Sequence, residues 1–89
     1  MRQKKGFVMR EVCGKNVVVG EGLGAIDFGK LLTLNETAAW LWKKCEELGE
    51  FTVEELADEL CKEYNVSTDE ARQDVSETIA VWQHAGVIE

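Results

Sequence analysis

The sequence predicts an α+β domain of winged-helix-like architecture, in which a three-stranded antiparallel sheet is followed by three helices. Three observations predict it. Runs of strand-forming residues bounded by turn glycines fall within about the first 35 positions. Three apolar stripes at helical spacing follow, each opened by a capping residue, with a glycine closing the first and the third. The chain has 89 residues and no proline. That is the size of one small domain, burying only about 60% of the surface its unfolded form exposes.

The elements follow in order. Residues 1–5 are basic and are expected to be flexible. Phe7-Val-Met-Arg-Glu-Val-Cys13 is rich in strand formers, Gly14-Lys-Asn16 reads as a turn, and Val17-Val-Val19 as the returning strand. Glycines at 20, 22 and 24 mark a loop. Ile26 to Leu34 reads as the third strand, firmest over Lys30-Leu-Leu-Thr-Leu34. Asn35 caps the first helix, with Glu36 in its first turn and Ala38, Leu41, Trp42, Cys45 and Leu48 on one stripe, and Gly49 ends it. Thr52-Val-Glu-Glu55 is a capping box for a second helix, whose stripe is Val53, Leu56, Ala57, Leu60, Cys61 and Tyr64. Ser67-Thr-Asp-Glu70 is another capping box; Ala71, Val75, Ile79 and Trp82 share a face, Gly86 stops the helix, and Val87-Ile88 can fold back onto it.

Composition excludes several functions. Hydrophobic residues make up 45% and charged residues 30%, a globular balance. No apolar run approaches the roughly 18 residues of a membrane helix, and no signal core follows the basic start, so a cytoplasmic location is expected. Residues 1–35 hold six bases and three acids, whereas residues 36–89 hold four bases and fourteen acids. A helical half this acidic repels the phosphates that dominate nucleic-acid affinity.

Candidate chemistry is sparse. Cys13, Cys45 and Cys61 form no CxxC pair, and Cys45 and Cys61 lie on apolar helix faces as small buried hydrophobes. His84 points away from the Trp82 face, which disfavours both a zinc site and a Cys–His nucleophile. Glu46-Glu47 and Glu54-Glu55 are adjacent on helices and cannot share a site. The glycine loop does not lead into a helix N-terminus, so it is no phosphate cradle. No catalytic residue, metal or cofactor is expected. Two features remain. Trp40 lies opposite the first helix's stripe; cover by the hairpin is expected, the alternative being partial exposure towards a partner. The third helix carries a secondary stripe of Asp74, Thr78, Val81 and Ala85, readable as a boundary against the sheet or as one wall of a groove.

Leu34-Asn-Glu-Thr-Ala-Ala-Trp-Leu-Trp42 resembles the helix-opening signature of the PqqD family, the peptide recognition elements of ribosomally made, modified peptides. The resemblance continues through Phe51-Thr-Val-Glu-Glu-Leu-Ala57, Tyr64-Asn-Val-Ser, Asp74-Val75 and Gly86-Val-Ile88, with Ala38 where the family often has glycine. It implies a single non-catalytic domain that captures a precursor's leader peptide and presents it to a modifying enzyme, often a radical S-adenosylmethionine enzyme. The family extends beyond the cofactor biosynthesis that named it. The resemblance implies that the leader adds as a strand beside the third strand, in its cleft with the third helix. The strand residues are then Asp27, Phe28, Lys30, Leu31, Leu32 and Thr33, and the helix wall is Asp74, Thr78, Val81 and Trp82.

Physics supports that mode independently, because a small sheet leaves edges whose unpaired N–H and C=O groups accept another strand. Lys30 and Arg10 beside the sheet would suit an acidic peptide, and an open edge can also close a homodimer. The runner-up is a winged-helix DNA-binding regulator. Asp69, Glu70, Asp74 and Glu77 against the lone Arg72 give its third helix the wrong balance for a major groove. A structural or assembly subunit without a peptide ligand is the third reading.

Overall fold

The computed structural model describes residues 1–20 and 32–89. The strands are β1 (Phe7–Val12), β2 (Lys15–Gly20) and β3 (Leu32–Leu34); the helices are α1 (Glu36–Leu48), α2 (Val53–Tyr64) and α3 (Thr68–Ala85). The sheet is antiparallel, in the order β1-β2-β3. The expected third strand is present at its C-terminal end, and its stretch from Ile26 to Leu31 lies outside the described residues.

The hairpin turns earlier than Gly14-Lys-Asn16. Val12 pairs with Lys15, which leaves Cys13 and Gly14 as a two-residue turn. Both have positive φ, 52° and 79°. Left-handed geometry at both central positions matches the twist of the flanking strands, so Lys15 and Asn16 are free to join β2. In this register Phe7, Met9, Val18, Leu32 and Leu34 share the face that meets the helices. Val18 and Leu34 are buried there, and the other three pack against the core.

Each helix starts where a side chain replaces a missing backbone acceptor. Asn35 Oδ1 accepts from the Ala38 amide at 2.8 Å, Thr52 Oγ1 from Glu55 at 3.1 Å and Ser67 Oγ from Glu70 at 3.2 Å. Gly86 ends α3 at φ 76°, where its amide donates to the Gln83 carbonyl and Val87 donates to that of Trp82. This paired motif turns the chain back and buries Val87 and Ile88.

The core joins the inner sheet face to all three helices around Trp42 and Trp82, whose rings meet edge-on with centroids 5.2 Å apart. On α3 the buried residues are the expected Ala71, Val75, Ile79 and Trp82. On α1 the stripe is shifted: Ala39 is buried, Ala38 is half-buried and Leu48 is exposed. Leu48 closes the last turn of α1, beyond Cys45, where the core ends. Tyr64, expected in the α2 stripe, is likewise exposed in the last turn of its helix.

Within residues 1–5, expected to be flexible, Met1 to Lys4 hydrogen-bond to distant parts of the chain. Arg2 and Glu89 exchange backbone hydrogen bonds at 2.8 Å each way, Lys4 donates to Val87 at 2.9 Å, and Gln3 Nε2 donates to the Trp42 carbonyl at 2.9 Å. The basic sequence hid this because the pairing uses backbone atoms, which composition does not report.

Candidate functional site

β3 passes through Asn35 directly into α1, and α3 runs beside that junction. Between them lies a cleft of about 250 Å³ lined by Asn35, Thr37, Ala38, Asp74, Glu77 and Thr78. Among the described residues β3 pairs with β2 on one side and has no strand on the other. The end of an edge strand and the outer face of a helix therefore border one cleft.

The helix side is built by period. Ala71, Val75, Ile79 and Trp82 take the core face, so Asp74, Thr78 and Val81 are turned outwards. Thr78 Oγ1 donates to the Asp74 carbonyl at 2.9 Å, which fixes the threonine against its helix and leaves the Asp74 carboxylate to the cleft. Val81 is 53% exposed, a large fraction for an aliphatic side chain on a packed helix. Trp82, expected on the wall, is in the core at 1% exposure. It lies three residues past Ile79 on the buried stripe, and Val81 takes the outward position instead.

The strand side divides. Leu32 packs against the core. Thr33 is exposed and lines a separate hollow with Gly14, Lys15, Asn16, Leu34, Asn35 and Glu36. Asp27, Phe28, Lys30 and Leu31 lie outside the described residues. Asn35, Thr37 and Glu77 belong to the cleft and were not anticipated. The signals were in the sequence: Asn35 must sit at the strand–helix junction it caps, and Glu77 is three residues from Asp74 on the same helix.

The cleft wall is acidic through Asp74 and Glu77. The lone arginine of α3, Arg72, is held at 2.8 Å by Glu54 of α2. Trp40 is half-buried; its ring partners among the described residues are Tyr64, edge-on at 5.6 Å, and Lys44, 5.5 Å above the ring. Both of these ring contacts come from helices. Cys45 is buried, and burial, with a smaller contribution from the Glu46 charge, pushes its thiol up to about 12. A thiol held protonated is no nucleophile near neutral pH.

Two solved structures share this fold. One, described as TbiB1 in complex with the TbiA(beta) leader peptide, is 19% identical with a TM-score of 0.76, covering 100% of this chain and 95% of its own. The other, lasso peptide synthetase B1 complexed with the leader peptide, is 18% identical with a TM-score of 0.73, covering 99% of this chain and 95% of its own. No curated protein sequence matches the chain. The family model described as coenzyme PQQ synthesis protein D (PqqD) matches residues 14–88, and the chain belongs to that family.

Proposed function

We propose that this chain is a peptide-binding module that captures the leader segment of a precursor peptide and presents it to a modifying enzyme in the cytoplasm. The observation that carries this reading is the junction of the β3 edge, unpaired among the described residues, with the outward face of α3. An edge strand offers main-chain hydrogen bonds to an extended peptide, and a helix wall beside it reads alternate side chains. The two structural neighbours, both described as leader-peptide complexes, support a leader peptide as the ligand. The residues proposed to meet the peptide on that side are Asp27, Phe28, Lys30, Leu31, Leu32 and Thr33. Asp74, Thr78 and Val81 form the wall, and Trp82 supports it from beneath. A radical S-adenosylmethionine enzyme is the proposed class of partner, and the edges leave a homodimer open to test. The role needs no catalytic group, since binding and presentation change no covalent bond.

The test is an amide-shift titration with peptides from short open reading frames adjacent to this gene. Shifts clustered on 27–34 and 74–82 support strand addition. Shifts confined to α2, or around Trp40 alone, would sink it even if a peptide binds. Micromolar binding to random duplex DNA that weakens steeply with salt would instead favour the regulator. The acidic face of α3, with its arginine already paired to Glu54, argues against that result.

A further inference from the structure

A second hollow adjoins the cleft. It has a volume of about 120 Å³ and is lined by Thr37, Leu60, Tyr64, Val66 and Asp74. Thr37 and Asp74 line both spaces, so the two meet at the first turn of α1. The far wall is apolar. Leu60 is buried, Val66 packs against the core, and Tyr64 is 40% exposed. Tyr64 is held edge-on against Trp40 at 5.6 Å, while Lys44 lies over the Trp40 ring and reaches Glu47 at 3.2 Å and Glu59 at 3.9 Å. The wall is thus braced before anything binds.

We infer that this hollow is a specificity pocket for an aliphatic side chain of the captured peptide, in the segment that leaves β3 past Leu34, next to a basic residue. The inference rests on the strand-addition reading and deepens it. A peptide strand alongside β3 that continues beyond Leu34 meets Asn35 and Thr37, then the Leu60–Tyr64–Val66 wall. An apolar cavity of roughly 150 Å³ accommodates a molecule of benzene size, so about 120 Å³ suits one aliphatic side chain. The acids Asp74 and Glu77 rim the entrance, and among the described residues no lysine or arginine lines either space. An acidic neighbour in the peptide is therefore repelled and a basic one attracted.

The test uses the full chain and a phage-displayed library of random peptides. The tightest selected peptide is scanned with alanine by fluorescence anisotropy against wild type, Tyr64→Ala, Val66→Thr and Asp74→Asn. The expected result is one aliphatic position, outside the alternating strand segment, whose replacement costs about ten- to a hundred-fold in affinity. That loss shrinks in Tyr64→Ala, and the effect of the neighbouring basic residue shrinks in Asp74→Asn. Val66→Thr probes the same wall by polarity with little change of shape, should Tyr64→Ala disturb the fold. Peptides that shift β3 and α3 amides without coupling to Tyr64 or Val66 would overturn the pocket and leave strand addition standing. A library that yields no binder would overturn both. Concentration-dependent shifts at Tyr64 and Val66 without peptide would assign the hollow to a second copy of the chain, and would overturn the inference too.

Discussion

The two faces of α3 differ in what fixes them. Ala71, Val75, Ile79 and Trp82 are nearly inaccessible within the shared core, where α3 packs on α2 and Trp82 meets the Trp42 ring. Asp74, Thr78 and Val81, on the same 18-residue helix, face outwards, and Asp74 and Thr78 border a cleft. The inner face is constrained by volume, since each lost methylene leaves a cavity. The outer face is constrained by what it contacts only when a partner is present. Changes on the inner face should therefore be read as stability, and changes on the outer face as affinity.

The largest expected effects test the inner face of α3 and the core residues Trp42 and Leu56 that share its cluster. Trp82→Ala and Trp42→Ala should each destabilise by about 3–5 kcal/mol, and Ile79→Ala and Leu56→Ala by about 2–5 kcal/mol, in urea unfolding. Values within a few tenths of a kcal/mol of wild type would erase the contrast. Trp42 sharpens it further, because its buried indole N–H has no hydrogen-bond partner among the described residues. Such a group opposes folding by about 1–3 kcal/mol. Trp42→Phe should consequently cost much less than Trp42→Ala, since losing the orphan donor offsets part of the lost packing.

The outer face should answer in the other measurement. Val81→Ala and Asp74→Ala are expected to leave unfolding within about 0.5 kcal/mol of wild type. Each should weaken a bound leader peptide by roughly 1–3 kcal/mol, or about ten- to a hundred-fold. Asp74→Ala is a clean change because Thr78 holds the Asp74 carbonyl, which the substitution keeps. Asp58→Ala, exposed on α2, is the control and should alter neither quantity. Equal losses of affinity in the control and the wall variants would show that the wall has no special role.

The smallest effects concern the cysteines. Cys13 is exposed at the hairpin tip and Cys45 is buried. A thiol reagent near neutral pH should modify Cys13 at once and Cys45 only on unfolding. The folded state raises the Cys45 thiol from 9.0 to about 12, so the unfolded chain gives up this proton first as pH rises. Its contribution to stability is whole below about pH 9 and declines between about 9 and 12. A Cys45→Ala variant should lose less stability than wild type over that window; identical slopes would show that the thiol does not titrate differently on folding.

Most of the helical half was legible because its signals are local. Asn35, Thr52 and Ser67 cap the helices they were expected to cap, and the α3 stripe is the buried one. Local periodicity failed at helix ends. Leu48 and Tyr64 continue their stripes but lie in last turns and stay exposed, although Tyr64 meets the Trp40 ring on one side. Trp82 shows a related limit: the resemblance placed it on a wall, while the 3.6-residue period places it with Ile79 inside.

By itself the sequence determined the number and order of the described elements, the helix starts, the stops of α1 and α3, and the acidic character of α3. These follow from caps, periodicity and side-chain charge, which act within a few residues. Tertiary structure alone decided that the end of β3 and the outer face of α3 border one cleft, that Thr37 joins it to the hollow beneath Tyr64, and that Arg2 and Lys4 pair with the C-terminal residues. Each depends on backbone groups or surfaces brought together from distant positions, and such meetings are set by how the elements pack rather than by any local pattern.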